Sequence, residues 1–260
     1  MAGQTVIANA AVANDLSLAD LRAALAAGWA DFRAEPIYGI FFAAIYVAGG
    51  FLMYFALMRM SSAAWLIPAA AGFPLLAPFT AVGLYEVSRR RESGEPISWK
   101  PVLGALRGHG DEQIISMGVI VFVAFAFWLI VAHSVFAVFA AEFGAGAESL
   151  AFLMTQTGLI MLAVGSVIGA IMALVFYAFT VISLPMLVDR EVDFLTAIIA
   201  SLATIRSNTR LMLIWACLIA ILLGLALLPL FLGLFLALPV LGHATWHLYR
   251  RAVVSNGEAA

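Results

Sequence analysis

The stretch LMLIWACLIAILLGLALLPLFLGLFLALPVLGHATWHLY, Leu211 to Tyr249, runs without one charged residue and is followed at once by Arg250 and Arg251. It is too long for a single crossing of a hydrocarbon core of roughly 30 Å, which about 20 helical residues span. Read as a hairpin turning near Pro229, it returns the two arginines to the side from which it started. Read as one crossing, it strands them opposite Arg206 and Arg210, against the tendency of cations to stay on the cytoplasmic side. The hairpin is the expectation, with arms of about 19 residues, roughly 28 Å each by the helical rise.

The same reasoning works outward along the chain. Uncharged runs also occupy Ile37 to Met58, Met60 to Tyr85, Gln113 to Ala141 and Ser149 to Val188. Crossing twice through Ser149 to Val188 would strand Arg190, Arg206 and Arg210 outside. That run is therefore expected to cross once, from about Val164, with Ala147 to Gly158 at the outer surface. Six spans result, and both termini are cytoplasmic. Arg22, Arg33, Arg89, Arg90, Arg91, Lys100, Arg107, Arg190, Arg206, Arg210, Arg250 and Arg251 then share that side, leaving Arg59 alone outside among the 13 cations.

Composition agrees with this class. Mean hydropathy is +1.07, and 65% hydrophobic with 11% charged residues departs far from the roughly 25% charged of soluble domains. The expected layout is an N-terminal cytoplasmic segment 1–36, a membrane domain 37–251 and a tail 252–260, with no separate soluble domain and no nucleic-acid footprint. The single cysteine, Cys217, excludes an intrachain disulfide and a multi-cysteine metal site. Met1 to Asn14 lacks the basic and apolar regions of a cleavable signal.

Three connectors carry apolar stripes at helical spacing: Leu18, Leu21, Leu25, Trp29 and Phe32; Trp99, Val102, Leu103 and Leu106; and Leu195, Ile198, Ile199, Leu202 and Ile205. Ser17 with Asp20 reads as a capping box, and Ser98 as an N-cap. All three are expected to lie in the interface with arginines toward headgroups; a helix packed under the bundle carries the same pattern. A shift of one hundred residues superposes Phe79 on Phe179, Thr80 on Thr180, Leu84 on Leu184 and Arg90 on Arg190. This predicts a parallel internal repeat, unlike the inverted repeats common in transporters. The predicted fold is all-α, with six transmembrane helices and three amphipathic ones.

Few residues carry chemistry. His243 and His247 lie one helical turn apart, a spacing able to offer ligands to a haem or metal; the alternative is a pair of interfacial imidazoles bonded to neighbouring carboxylates or carbonyls. His133 is separated from His243 by roughly 18 Å along the membrane normal, by the helical rise. Glu86, Arg90, Asp189 and Arg190 form a charge cluster at the cytoplasmic ends of spans two and four. It binds an ion, headgroup or partner, or it clamps the two repeats by intramolecular pairs. Pro68, Pro74 and Pro78, with Gly72 and Gly83, should kink or break span two. No nucleophile stands with a base, and no glycine-rich phosphate loop or metal cluster appears, so an enzyme is not expected.

Gly28-Trp29-Ala30-Asp31-Phe32, Ala71-Gly72-Phe73-Pro74-Leu75-Leu76-Ala77-Pro78 running into Ala81 to Arg90, Ser183 to Arg190 and Pro239 to Arg250 together resemble the DUF2189 family of predicted integral membrane proteins. The resemblance implies no established activity. Some members carry a cytochrome c oxidase label, which implies a respiratory neighbourhood. The sequence thus points to a non-enzymatic protein of the bacterial inner membrane, an accessory or assembly component whose partners are the lipid bilayer and respiratory-complex subunits. Two alternatives stay open: a small-solute or lipid transporter, and a haem binder through His243 and His247, with no cofactor in the leading reading.

Overall fold

The computed structural model describes residues 6–7, 10–59, 77–105, 113–143 and 150–255. Most of the run Met60 to Tyr85, with Pro68, Gly72 and Pro74, lies outside the described residues, as do Leu106, Arg107, Glu112 and Glu148. The described helices are α1 (Leu18–Ala34), α2 (Pro36–Arg59), α3 (Ala77–Ser93), α4 (Trp99–Gly104), α5 (Gln113–Phe143), α6 (Gln156–Thr180), α7 (Ser183–Asp189), α8 (Phe194–Ser207), α9 (Thr209–Leu227) and α10 (Leu234–Ala252). Among the described residues, four stretches are long and apolar enough to cross a membrane: Pro36–Ala56, Gln113–Ala141, Gln156–Asp189 and Thr209–Leu227. The chain is therefore a multi-pass, all-α membrane protein.

The hairpin expected at Pro229 is present, with α9 ending at Leu227 and α10 starting at Leu234. Leu230 and Phe231 take φ of 50° and 66° to close it, and a Cβ on Gly233 would meet the Ala226 backbone at 2.6 Å. Of the two arms, α9 qualifies as a span. α10 departs from that pattern because its second half is polar, from His243 through Thr245 and His247 to Arg251, and much of it is buried.

The run expected to cross once contains a single span-length stretch, Gln156–Asp189, which starts earlier than Val164. Thr155 caps it, its Oγ1 accepting from the Gly158 amide at 3.1 Å, and the helix begins at Gln156. The stretch breaks at Val181 and Ile182, between α6 and α7. Pro185 explains the break, because its ring displaces the carbonyl four residues back, at Val181. The carbonyls freed nearby are satisfied locally: Ser201 Oγ donates to Ala178 O at 2.7 Å, and Ser183 Oγ donates to Phe179 O. The corresponding position in the first copy of the suggested repeat is Tyr85, and there α3 runs unbroken to Ser93. The two copies therefore do not share one backbone.

Contacts divide the chain into two compact units, one of residues Met1–Val47, Ala77–Gly118 and Tyr177–Ala260, the other of Ala48–Leu76 and Val119–Phe176. The second unit is predominantly apolar in its helices, with Leu52, Phe122, Ile130 and Ile171 among its exposed side chains, and Gly169 lets the Trp128 ring close on α6. The first unit holds the polar chemistry. Its helix α1 lies antiparallel along α10, for Asp20 meets Arg251 near one end and Gly28, further along α1, meets Ala244 and Val240. A three-stranded antiparallel sheet, β1 (Val6–Ile7), β2 (Ala10–Val12) and β3 (Val253–Ser255), joins the two chain ends beside it.

The α1 stripe packs differently from expectation. Ser17 and Asp20 do form a reciprocal capping box, yet the buried face is Leu21, Ala24, Gly28 and Asp31. Leu18 and Trp29 remain exposed. Small residues win the packed face because they let backbones approach closely: a Cβ on Gly28 would lie 2.5 Å from Ala244 N and 2.7 Å from Val240 O. Asp31, placed by sequence on the polar side, is only 5% exposed.

Candidate functional site

One turn beyond Gly28, three helices meet at the Asp31 carboxylate. From α3, Ser88 Oγ donates to Asp31 Oδ2 at 2.7 Å, and Arg91 Nε pairs with Oδ1 at 2.9 Å. From α10, His247 Nε2 donates to Oδ2 at 2.7 Å. His243, also on α10, places Nδ1 2.7 Å from Ser88 Oγ. Because the serine proton is committed to a carboxylate, Nδ1 must carry the hydrogen that it donates to Ser88. The chain of donors therefore runs His243 to Ser88 to Asp31, and Nε2 of His243 is buried without a hydrogen-bond partner.

Burial works against the Asp31 charge, but the bonds from His247 and Ser88 outweigh it and hold the carboxyl below its ordinary value of 3.8. An ionised Asp31 suits three donors arriving from two other helices. Serine, histidine and aspartate are thus together, but wired in the wrong order for nucleophilic catalysis: no imidazole accepts the Ser88 proton, and Ser88 is fully buried.

Two further ionic groups extend this platform. Glu86, 2% exposed, receives Arg89 Nε at 2.8 Å and also Arg90, both from its own helix; Glu95 closes on the same pair of arginines at 3.0 and 3.2 Å. Asp189 Oδ2 accepts from Tyr249 Oη at 2.6 Å and Arg250 Nη1 at 3.2 Å, with Arg190 Nε at 3.5 Å. Glu92 then links Arg250 Nε and Trp246 Nε1, each at 3.0 Å. Glu86 and Asp189 therefore do not pair across the suggested repeat; each binds arginines of its own segment, and Asp189 also reaches α10.

Asn208, at the end of α8, ties down the N-terminal segment: its Nδ2 donates to Ala13 O at 2.7 Å and its Oδ1 accepts from Leu16 N at 3.2 Å. Sequence reading passed over Asp31, Ser88, Arg91, Glu92 and Asn208 as site residues. For Asp31 the signal was present in the spacing Ala24, Gly28, Asp31, which continues a close-packing seam. Of the residues it did single out, His243 and His247 come together in the network, whereas His133 lies in the other unit, beside Phe136. Among the described residues no three His, Cys, Asp or Glu side chains are placed to hold a metal ion.

Against known proteins, no curated protein and no solved structure matches the chain. Residues 66–189, a little under half of it, match the model of the DUF2189 family, described as a predicted integral membrane protein. That segment contains Glu86, Ser88, Arg90, Arg91 and Asp189, while Asp31, His243 and His247 lie beyond it.

Proposed function

We propose that this integral membrane protein, which carries the DUF2189 segment at residues 66–189, acts without catalysis, as an accessory or assembly component of a larger membrane complex. One observation carries the reading: the residues with chemical potential are spent on holding helix ends together. Asp31, Ser88, His243, His247 and Arg91 satisfy one another across α1, α3 and α10, leaving a buried serine facing a carboxylate. The haem alternative needs a free imidazole nitrogen within reach of the ligand, but His247 Nε2 is committed to Asp31, and the unpartnered Nε2 of His243 is wholly buried. A respiratory complex is the partner class suggested by labels that some members of the family carry.

Six spans with both termini cytoplasmic remain our topology. Its support is that the eleven described cations assigned to that side all fall in the first compact unit, and Arg59 in the second. The pairing of β2 with β3 supports a shared side for the chain ends. The test is affinity purification from native membranes in a mild detergent. A fixed set of membrane proteins at constant ratio supports the proposal; recovery of the chain alone at full yield, or with a haem absorption band, contradicts it.

A further inference from the structure

Charges in the first unit sort into two sets. Five arginines, Arg89, Arg90, Arg91, Arg190 and Arg250, each pair with a carboxylate of the platform, and Arg251 pairs with Asp15 and Asp20. Five other cations, Arg22, Arg33, Lys100, Arg206 and Arg210, are exposed and form no ion pair among the described residues. They sit on, or directly after, the helices whose large apolar side chains are also exposed.

Helix α8 shows the arrangement most clearly. Its buried face is Ala197, Ala200, Ser201 and Thr204, while Leu195 and Ile199 are 56% and 46% exposed. At 3.6 residues per turn, Leu195, Ile199, Leu202 and Arg206 fall within an arc of about 60°, opposite the buried face. Helix α1 repeats it: exposed Leu18 and Trp29 share an arc of about 60° with exposed Arg22 and Arg33. On α4, Trp99 and Leu103 are exposed beside Lys100. A helix that buries its small polar residues and presents leucine and isoleucine outward is facing lipid, not water.

We propose that α1, α4 and α8 seat this unit in a leaflet rich in anionic phospholipid, with Arg22, Arg33, Lys100, Arg206 and Arg210 as headgroup ligands. Charge complementarity names the occupant. In this unit, among the described residues, Glu35, Glu191 and the helix-capping Asp193 are the acidic residues without an ion pair, so the free charge left on these helices is mainly positive. The paired arginines have no such capacity to spare.

The proposal depends on the chain being embedded, not on its having a protein partner, so it is tested apart from co-purification. Full-length protein carrying Cys217→Ser and a spin label at Leu195→Cys, Ile199→Cys or Trp29→Cys is reconstituted in vesicles of phosphatidylcholine with phosphatidylglycerol. Labels at all three positions should collide with oxygen more than with a polar nickel relaxant, and a label at exposed Ser207→Cys should show the reverse. In parallel, native mass spectrometry compares retained phosphatidylglycerol with retained phosphatidylcholine. Each cation changed to Gln should lower that preference about fivefold, whereas Ser207→Ala, at a neutral exposed position, should leave it unchanged. Equal retention of the two lipids by the unaltered protein overturns the proposal. So do labels open to the nickel relaxant, or labels shielded from both reagents, the latter placing another protein on this face.

Discussion

Replacing Gly28 by Ala tests the close seam between α1 and α10 with a single methyl group. The added Cβ would lie 2.5 Å from Ala244 N, 2.7 Å from Val240 O and 2.8 Å from Ala244 Cα, all main-chain atoms that no rotamer change can move. Bringing the first contact to about 3.4 Å requires the helices to part by about 0.9 Å. Overpacking of this kind costs about 1–3 kcal/mol. Asp31 lies on the same face one turn on, and its 2.7 Å bond to His247 would stretch to about 3.6 Å, outside hydrogen-bonding range. Weakening a bond to a buried charge adds about 1.5 kcal/mol or more. The combined loss is about 3 kcal/mol, or roughly two orders of magnitude in the unfolding equilibrium. Unfolding in detergent followed by tryptophan fluorescence reads this directly. Gly104→Ala is the control, since nothing lies within 4 Å of its added Cβ, and it should be neutral or slightly stabilising. If Gly28→Ala unfolds within about 0.5 kcal/mol of the unaltered protein, the packed seam is wrong.

Acid should weaken the same junction. The Asp31 carboxyl is held below 3.8 in the fold, so its contribution is complete above that value and disappears as pH falls through the lower folded value. The gap in unfolding midpoint between the unaltered protein and Asp31→Asn should narrow from about pH 6 towards about pH 3; a gap that stays constant contradicts the ionised network. Glu86→Gln should cost about 2 kcal/mol, because it removes the buried carboxylate from Arg89 and Arg90 and leaves them only the more exposed Glu95. Glu95→Gln, at the exposed rim, should leave the unfolding midpoint in place, and equal effects from the two would refute the ranking. Ser201→Ala removes the donor to Ala178 O beside the Pro185 break and should cost about 1–2 kcal/mol by the same assay; no loss would mean that water or a neighbour satisfies that carbonyl.

Four spans were legible because length and apolar composition act on whole segments. Leu211 to Tyr249 had to turn back, and Leu228 to Gly233 is where it does so. Local signals also read well: Ser17 and Asp20 form the capping box. The missed features depend on which face meets which. Apolar spacing marks a stripe on α1, but in lipid a leucine gains little by choosing a protein neighbour over an acyl chain, so close packing by Ala24 and Gly28 decides the buried face. Asp31 follows them inward because Ser88, His247 and Arg91 wait there from helices distant in sequence. His243 and His247 were visible as a pair, but their partners were not. The break at Val181 was readable from Pro185, and the likeness of Ala77 to Arg90 to Tyr177 to Arg190 drew attention away from it. The β2–β3 pairing joins residues from opposite chain ends, and six residues, five of them apolar, carry no period from which to infer it.

The account rests most heavily on one side of the membrane holding the ionic platform and the helices around it. Single cysteines placed at Ser17, Ser93, Ser207 and Arg59 in a Cys217→Ser background, probed in sealed membranes with a thiol reagent that cannot cross, test this directly. Positions 17, 93 and 207 should react from the cytoplasmic side alone, and position 59 from the opposite side alone. Reaction of any of the first three from the side that labels position 59 would contradict the account.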